Sequence, residues 1–381
     1  MPFIDLGKQY ELLKSQIDQA VIEAVSSVKY INGPQVSQLE EQLAEYVGAR
    51  YCVACANGTD ALTLPLLAWD IGPGDAVFCP TFTFIATAEV VALRGATPIF
   101  VDIDPVTYNI DPLDLEEKIV AVNNLGQLKA KAIIPVDLFG LPYDYEKVAA
   151  LADRYGLYIL EDAAQGFGGV YGGKKAGSLG LAGATSFFPA KPLGCYGDGG
   201  AVFTDDSSLA EALRSIRGHG AGEDKYQHVR LGMNSRLDTI QAAILLVKLR
   251  AFPQELDLRQ IVAERYEKDL VGFIPYAPVV PGGRLSSWAQ YTVKVPKELR
   301  AAVIDSMKEA GIPTMIYYPG CLHLQKAFAK YGGKAGDLVK AEEISAQVLS
   351  LPMHPYLTED NQKKVTQALI EALEKAAASA G

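Results

Sequence analysis

The chain has no excess of positive charge, no long apolar run and few cysteines, and each shortage excludes something. Its 381 residues carry 35 Lys and Arg against 45 Asp and Glu, a net charge of −10. Such a balance offers no bulk attraction to nucleic acid or to an anionic membrane. A small anionic ligand would need a locally built site. The longest apolar stretches, such as Ala242 to Val247, are too short to span a bilayer. The opening MPFIDLGKQYELLK has no signal-peptide core, because Asp5 interrupts its first apolar run. A cytoplasmic location is expected. Cys52, Cys55, Cys79, Cys195 and Cys321 are scattered and odd in number, which suits a reducing compartment better than a disulfide framework. Cys52-Val-Ala-Cys55 has redox-motif spacing, but no second pair or histidine partner follows. Neither a redox motif nor a zinc or other metal site is expected.

What is present reads as an α/β protein. Hydrophobic residues make up 49% and charged residues 21%, ordinary for a globular chain of two domains. Leu12, Leu13, Ile17, Val21, Ile22 and Val25 recur at helical spacing, predicting a helix over 8–28 and another over 34–46. Short apolar runs then predict strands at 51–55, 76–79, 97–101, 131–136, 157–161, 183–187 and 200–203. Helical patterns fall between them at 59–69, 84–94, 112–121, 145–155 and 206–217. This alternation implies βαβ units and a mostly parallel sheet covered on both faces. In such sheets ligands bind at the carboxyl ends of strands. A long helix from 236 to 250, running on past Pro253, leads into a tail with a strand at 289–295 and helices at 297–310 and 358–377. A domain boundary is placed near 250, dividing a large domain (1–250) from a small C-terminal α/β domain (251–381).

Four segments carry chemistry, each at a strand-to-helix or strand-to-loop junction. In Cys55-Ala-Asn-Gly-Thr-Asp-Ala-Leu62, Gly58 lets the backbone approach closely, and Thr59 and Asp60 open a helix whose free N–H groups would cradle a phosphate. A plain helix cap uses the same residues. Pro65, inside that helix, should kink or tighten its first turns. In Leu160-Glu-Asp-Ala-Ala-Gln165, Asp162 ends an apolar strand, within reach of a ligand or serving as a cap. In Ser186-Phe-Phe-Pro-Ala-Lys-Pro-Leu-Gly-Cys-Tyr-Gly-Asp-Gly-Gly200, Lys191 lies between two prolines among apolar neighbours. Loop lysines are usually solvated, but a desolvated lysine loses its charge readily and becomes a nucleophilic amine. In Arg230-Leu-Gly-Met-Asn-Ser-Arg-Leu-Asp238, polar residues open a very apolar helix.

The phrases NGTDAL, EDAAQ, SFFPAKPLGCYGDGGA, GMNSRLDTIQAA and SLPMHPYL, in this order from FIDL to MHPYL, resemble the DegT/DnrJ/EryC1/StrS family of sugar aminotransferases. Within it, SFFPAKPLGCYGDGG and SLPMHPYL are most similar to enzymes that aminate UDP-2-acetamido-2-deoxy-3-oxo-glucuronic acid in bacterial surface-polysaccharide biosynthesis. The resemblance implies a fold-type-I aminotransferase and a homodimer with shared active sites. It also implies pyridoxal 5'-phosphate, cycling with its pyridoxamine form, with L-glutamate and a nucleotide-linked keto-sugar as substrates. By that resemblance Lys191 forms the Schiff base and Asp162 pairs with the pyridinium nitrogen. Gln165 lies near the phenolic oxygen, and Gly58, Thr59 and Ser186 bind the phosphate. Phe84 stacks on the ring, and Asn234 reaches the phosphate of the neighbouring subunit. Lys191 stands where dehydratases of the family carry histidine. Tyr317-Tyr-Pro departs from the His-Tyr-Pro frequent in relatives, which leaves the substrate contacts of that loop open. Arg236, His228, Arg230, Tyr317, His323 and His354 are the candidate substrate contacts. The alternatives are a C4 aminotransferase acting on a 4-keto-6-deoxy sugar nucleotide, a pyridoxal-dependent dehydratase, and a non-catalytic cofactor-binding regulator.

Overall fold

A computed structural model describes residues 1–224, 226–272 and 277–380. Helices α1 (Leu6–Ser26) and α2 (Pro34–Val47) lead into β1 (Tyr51–Cys55), α3 (Gly58–Ala68), β2 (Asp75–Pro80), α4 (Ala86–Leu93) and β3 (Thr97–Val101). Next come α5 (Pro112–Leu125), β4 (Lys129–Ile133), α6 (Tyr145–Tyr155), β5 (Tyr158–Asp162) and two short strands, β6 (Val170–Tyr171) and β7 (Lys174–Lys175). Strands β8 (Ala182–Ser186) and β9 (Gly200–Thr204) with α7 (Ser207–Ile216) complete the first unit. The main sheet has the order β1-β9-β8-β5-β4-β2-β3. It is parallel from β8 to β3, and only β9 runs against its neighbours.

Alternating residues of these strands serve opposite faces, as the period of two requires. Val53, Val77 and Cys79 pack against α3, α4 and α7. Ala54 and Phe203 pack on the other face against α2 and the helix α8 (Thr239–Leu270). Ala76 and Phe78 meet α5 and α6 there. Both faces are thus covered, which explains the continuous apolar strands. Strand β4 ends at Ile133, short of the expected 136. Pro135 has no N–H to give the ladder, and only an isolated bridge joins Val136 to Asp162. Helix α3 runs through Pro65. One missing N–H is outweighed by burial of Leu62, Leu64 and Leu66 in the core. In α1 the apolar stripe divides: Ile17 is buried against α8, whereas Leu12, Ile22 and Val25 are exposed.

The expected boundary at residue 250 falls inside α8, which continues through Pro253 for 32 residues. Its first half packs on the main sheet, and its second half enters a separate core through Val262, Ala263, Tyr266 and Leu270. That core holds β11 (Tyr291–Lys294), α9 (Arg300–Glu309), β12 (Val348–Leu351) and α11 (Glu359–Ala380), beyond β10 (Arg284–Leu285) and beside α10 (Val339–Gln347). Strands β11 and β12 pair antiparallel. We propose that the two units divide within α8. The N-terminus crosses that division, because Met1 packs on the second core and the Met353 N–H donates to the Phe3 carbonyl at 3.3 Å.

Candidate active site

The carboxyl ends of β2, β5 and β8 share one edge of the sheet, and the residues expected to hold the cofactor lie along it. At the end of β1, Asn57 caps α3 by accepting the Asp60 N–H at 2.8 Å. The N–H groups of Gly58 and Thr59, in the first turn, have no acceptor within the helix. Ser186, at the end of β8, lies against this turn. A Cβ built on Gly58 would stand 2.6 Å from the Ser186 Cβ, so only glycine allows the approach. A helix N-terminus with a hydroxyl beside it fits a phosphate. The Ser235 Oγ accepts the Ala56 N–H at 3.2 Å, which brings the Asn234–Arg236 segment beside the same turn. Asn234 is exposed and Arg236 half-buried.

Asp162 is buried. Its carboxylate accepts from Thr87 Oγ1 at 2.8 Å and from the Ala164 N–H at 3.2 Å. Burial pushes its carboxyl above the ordinary range; the Thr87 bond, the Lys191 charge and the Ala164 N–H oppose this. Lys191 is half-buried on the loop between β8 and β9, where its own N–H closes a turn onto the Phe188 carbonyl at 2.9 Å. Desolvation lowers its amine below the ordinary lysine range, and the Asp162 carboxylate opposes that shift. The two side chains therefore feel each other across the site. Lys248 of α8 is buried and donates to the Gly194 carbonyl at 2.6 Å, anchoring the lysine loop from beneath.

Gln165 accepts the Phe139 N–H at 2.7 Å and donates to the Tyr318 hydroxyl at 3.0 Å. A second Nε2 proton remains for a ligand. Phe84 is 54% exposed, with its ring 6.3 Å from that of Tyr318. Tyr318 was not singled out by the sequence; the adjacent Tyr317 was. The fold turns Tyr317 toward Phe3, at 6.3 Å, and directs Tyr318 to Gln165, Phe82 and Phe84. Thr87, which holds Asp162, was also missed, since a helical threonine looks like any other until its partner is known.

Three of the expected substrate contacts stand apart from the pocket beside Lys191. His323 is buried, with Nδ1 2.7 Å from Thr81 Oγ1 and Nε2 3.3 Å from Glu342 Oε1. Both nitrogens are engaged within the chain, so the ring pins its loop and leaves no edge for a substrate. His228 and Arg230 are exposed between α7 and α8, where His228 Nδ1 lies 2.9 Å from the His219 carbonyl. Within one subunit this segment does not line the pocket beside Lys191.

His354 does line that pocket, together with Arg259. It is buried, and burial pushes its pKa from 6.5 down to about 4. Between those values the unfolded chain binds a proton that the folded ring refuses. Stability should be complete above pH 6.5 and fall as pH drops toward 4, by up to roughly 3 kcal/mol. Denaturant midpoints across that range should show the slope, and His354→Gln should remove it.

The pattern of the DegT/DnrJ/EryC1/StrS aminotransferase family matches residues 11–370. The UDP-2-acetamido-2-deoxy-3-oxo-D-glucuronate aminotransferase of Pseudomonas aeruginosa is 48% identical over 367 residues, covering 96% of this chain and 99% of that protein. The crystal structure of a DegT DnrJ EryC1 StrS aminotransferase from Brucella abortus superimposes with a TM-score of 0.94 at 49% identity, covering 97% of this chain and 98% of that one. A structure of NtdA from Bacillus subtilis with bound cofactor PMP superimposes with a TM-score of 0.86 at 33% identity, covering 95% of this chain and 82% of that one. Matched in sequence and in fold over this span, the chain belongs to the DegT/DnrJ/EryC1/StrS aminotransferase family.

Proposed function

We propose that this chain moves the amino group of L-glutamate to the 3-keto carbon of UDP-2-acetamido-2-deoxy-3-oxo-glucuronic acid. It would act in the cytoplasm, as a homodimer, in bacterial surface-polysaccharide biosynthesis. The observation that carries the reading is Asp162, buried at the end of β5 and facing a desolvated Lys191. The 48% identity to the Pseudomonas aeruginosa aminotransferase supports the choice of sugar.

Pyridoxal phosphate, the family's cofactor, supplies an aldehyde carbon for the amine and a ring that takes up electrons from it. The chain provides the rest. Gly58, Thr59 and Ser186 would hold the phosphate and so position the cofactor. Asp162, held by Thr87, keeps a cationic ring nitrogen favourable. Phe84, packed beside Tyr318, would cover one ring face, and Gln165 would serve the ring's oxygen. Lys191 would hold the resting cofactor covalently and, once its amine is free, serve as the proton carrier. Such transfer contributes about 10²–10⁴-fold. Asn234, Arg236, His228 and Arg230 would serve the partner's site, meeting its phosphate and sugar; all but the half-buried Arg236 are exposed.

The test is product mass and NMR on a panel of 3-keto and 4-keto sugar nucleotides with L-glutamate. The expected product carries nitrogen at C3 of the uronate. Amination at C4 of a 6-deoxy sugar would replace this substrate assignment. Cofactor binding without release of 2-oxoglutarate would replace it with a regulatory role.

A further inference from the structure

The pocket beside Lys191 is lined by Asp5 and Gln9 at the start of α1, Arg259 of α8, and His354 and Tyr356 of the loop after β12. Eight buried side-chain nitrogen and oxygen atoms among the described residues have no hydrogen-bond partner. Four of them belong to this lining: Gln9 Oε1, Arg259 Nε and both ring nitrogens of His354. Orphaned buried polar atoms are costly, so four around one small space mark a place made for a polar group. The set is specific. Gln9 Oε1 and one nitrogen of a neutral imidazole accept protons, while Arg259 Nε–H and the other imidazole nitrogen each donate one.

A neutral primary amine has two N–H donors and one lone pair, so it can serve both acceptors and one of the two donors. An ammonium has three donors and no acceptor, and it would face the Arg259 N–H directly. We propose that Gln9, Arg259 and His354 are positioning residues that receive the Lys191 amine when it is displaced from the cofactor and hold it uncharged. The inference rests on the proposed role of Lys191. The displacement balances: the donor's amine makes the carbon–nitrogen bond that Lys191 gives up. The two N–H protons of the donor end on Lys191, which leaves neutral. A lysine kept in that form is ready to take the next proton.

The other charged groups facing the pocket are already engaged. Asp5 caps α1 by accepting the Lys8 N–H at 2.8 Å. Glu255 of α8 accepts twice from Gln9 Nε2, at 2.9 and 3.1 Å, and once from the Tyr356 hydroxyl. Lys248 is turned to Gly194, and Asp162 faces Lys191 from β5. Arg259 is held by its bond to the Trp288 carbonyl at 2.9 Å. That bond fixes the guanidinium, whose Nε is left unpartnered.

The holoenzyme can be converted to its amine form with L-glutamate, freed of 2-oxoglutarate, and acetylated across a pH series. Mass spectrometry then compares Lys191 with the surface residue Lys297. Lys191 should reach half-maximal labelling at lower pH than Lys297. Arg259→Met should move the midpoint up, with roughly tenfold less reactive amine at a given pH on the rising limb. His354→Gln, which keeps a donor and an acceptor, should leave it in place. A wild-type midpoint equal to that of Lys297, which needs no variant, overturns the pocket. So does a midpoint unmoved in folded Arg259→Met. Borohydride reduction that fixes the cofactor to another residue would instead overturn the role of Lys191 itself.

Discussion

A Lys191→Ala variant is expected to lose amino transfer by at least ~10⁴-fold. Two functions leave together: the covalent hold on the resting cofactor and the proton carrier beside it. No neighbour replaces the amine. Lys248 is buried and committed to Gly194, and Arg259 stays protonated and cannot act as a nucleophile. The variant should still bind the amine form of the cofactor, because Gly58, Thr59 and Ser186 are untouched. Rapid-mixing absorbance with L-glutamate reads the loss directly. A Lys191→Ala protein that still cycles between aldehyde and amine forms would sink the assignment. Lys191→Arg should fare no better, since a guanidinium keeps the charge but offers no nucleophile.

The second large effect is expected at Asp162. Asp162→Asn keeps the shape and a bond to Thr87 but removes the charge that a cationic ring nitrogen needs. Breaking a buried charge pair costs about 3–5 kcal/mol, so turnover should fall by about 10²–10⁴-fold. Burial already raises this carboxyl, and Thr87, Lys191 and the Ala164 N–H work against that rise. Thr87→Val should therefore weaken cofactor binding in the same direction and by less. Cofactor affinity and turnover, measured together, separate a lost charge from a lost fold. Unchanged turnover in Asp162→Asn would show that the carboxylate only caps its loop.

The cofactor half of the site was legible because it sits on short motifs at strand ends. Lys191 is confined by Pro189 and Pro192, Asp162 ends an apolar strand, and Gly58 opens a helix, so each residue's place follows from its neighbours in the chain. The substrate half was not legible. His323 and His354 look alike in sequence, each a histidine in a proline-bearing or glycine-bearing loop. One is fastened between Thr81 and Glu342, and the other is left unpartnered beside Lys191. Tyr317 and Tyr318 are adjacent, and only packing selects Tyr318. Arg259 reads as one more charge on a long helix.

The sequence by itself determined the alternation of strands and helices, the carboxyl edge where a ligand is expected, and the lysine and carboxylate to which we assign the chemistry. These depend on local periodicity and on residues close in the chain. Tertiary structure alone decided that α8 joins two cores without a linker and that Thr87 holds Asp162. It also decided that Gln9, Arg259 and His354, drawn from three distant segments, converge on Lys191. Such contacts carry no local signal, because burial and pairing are properties of the folded chain as a whole.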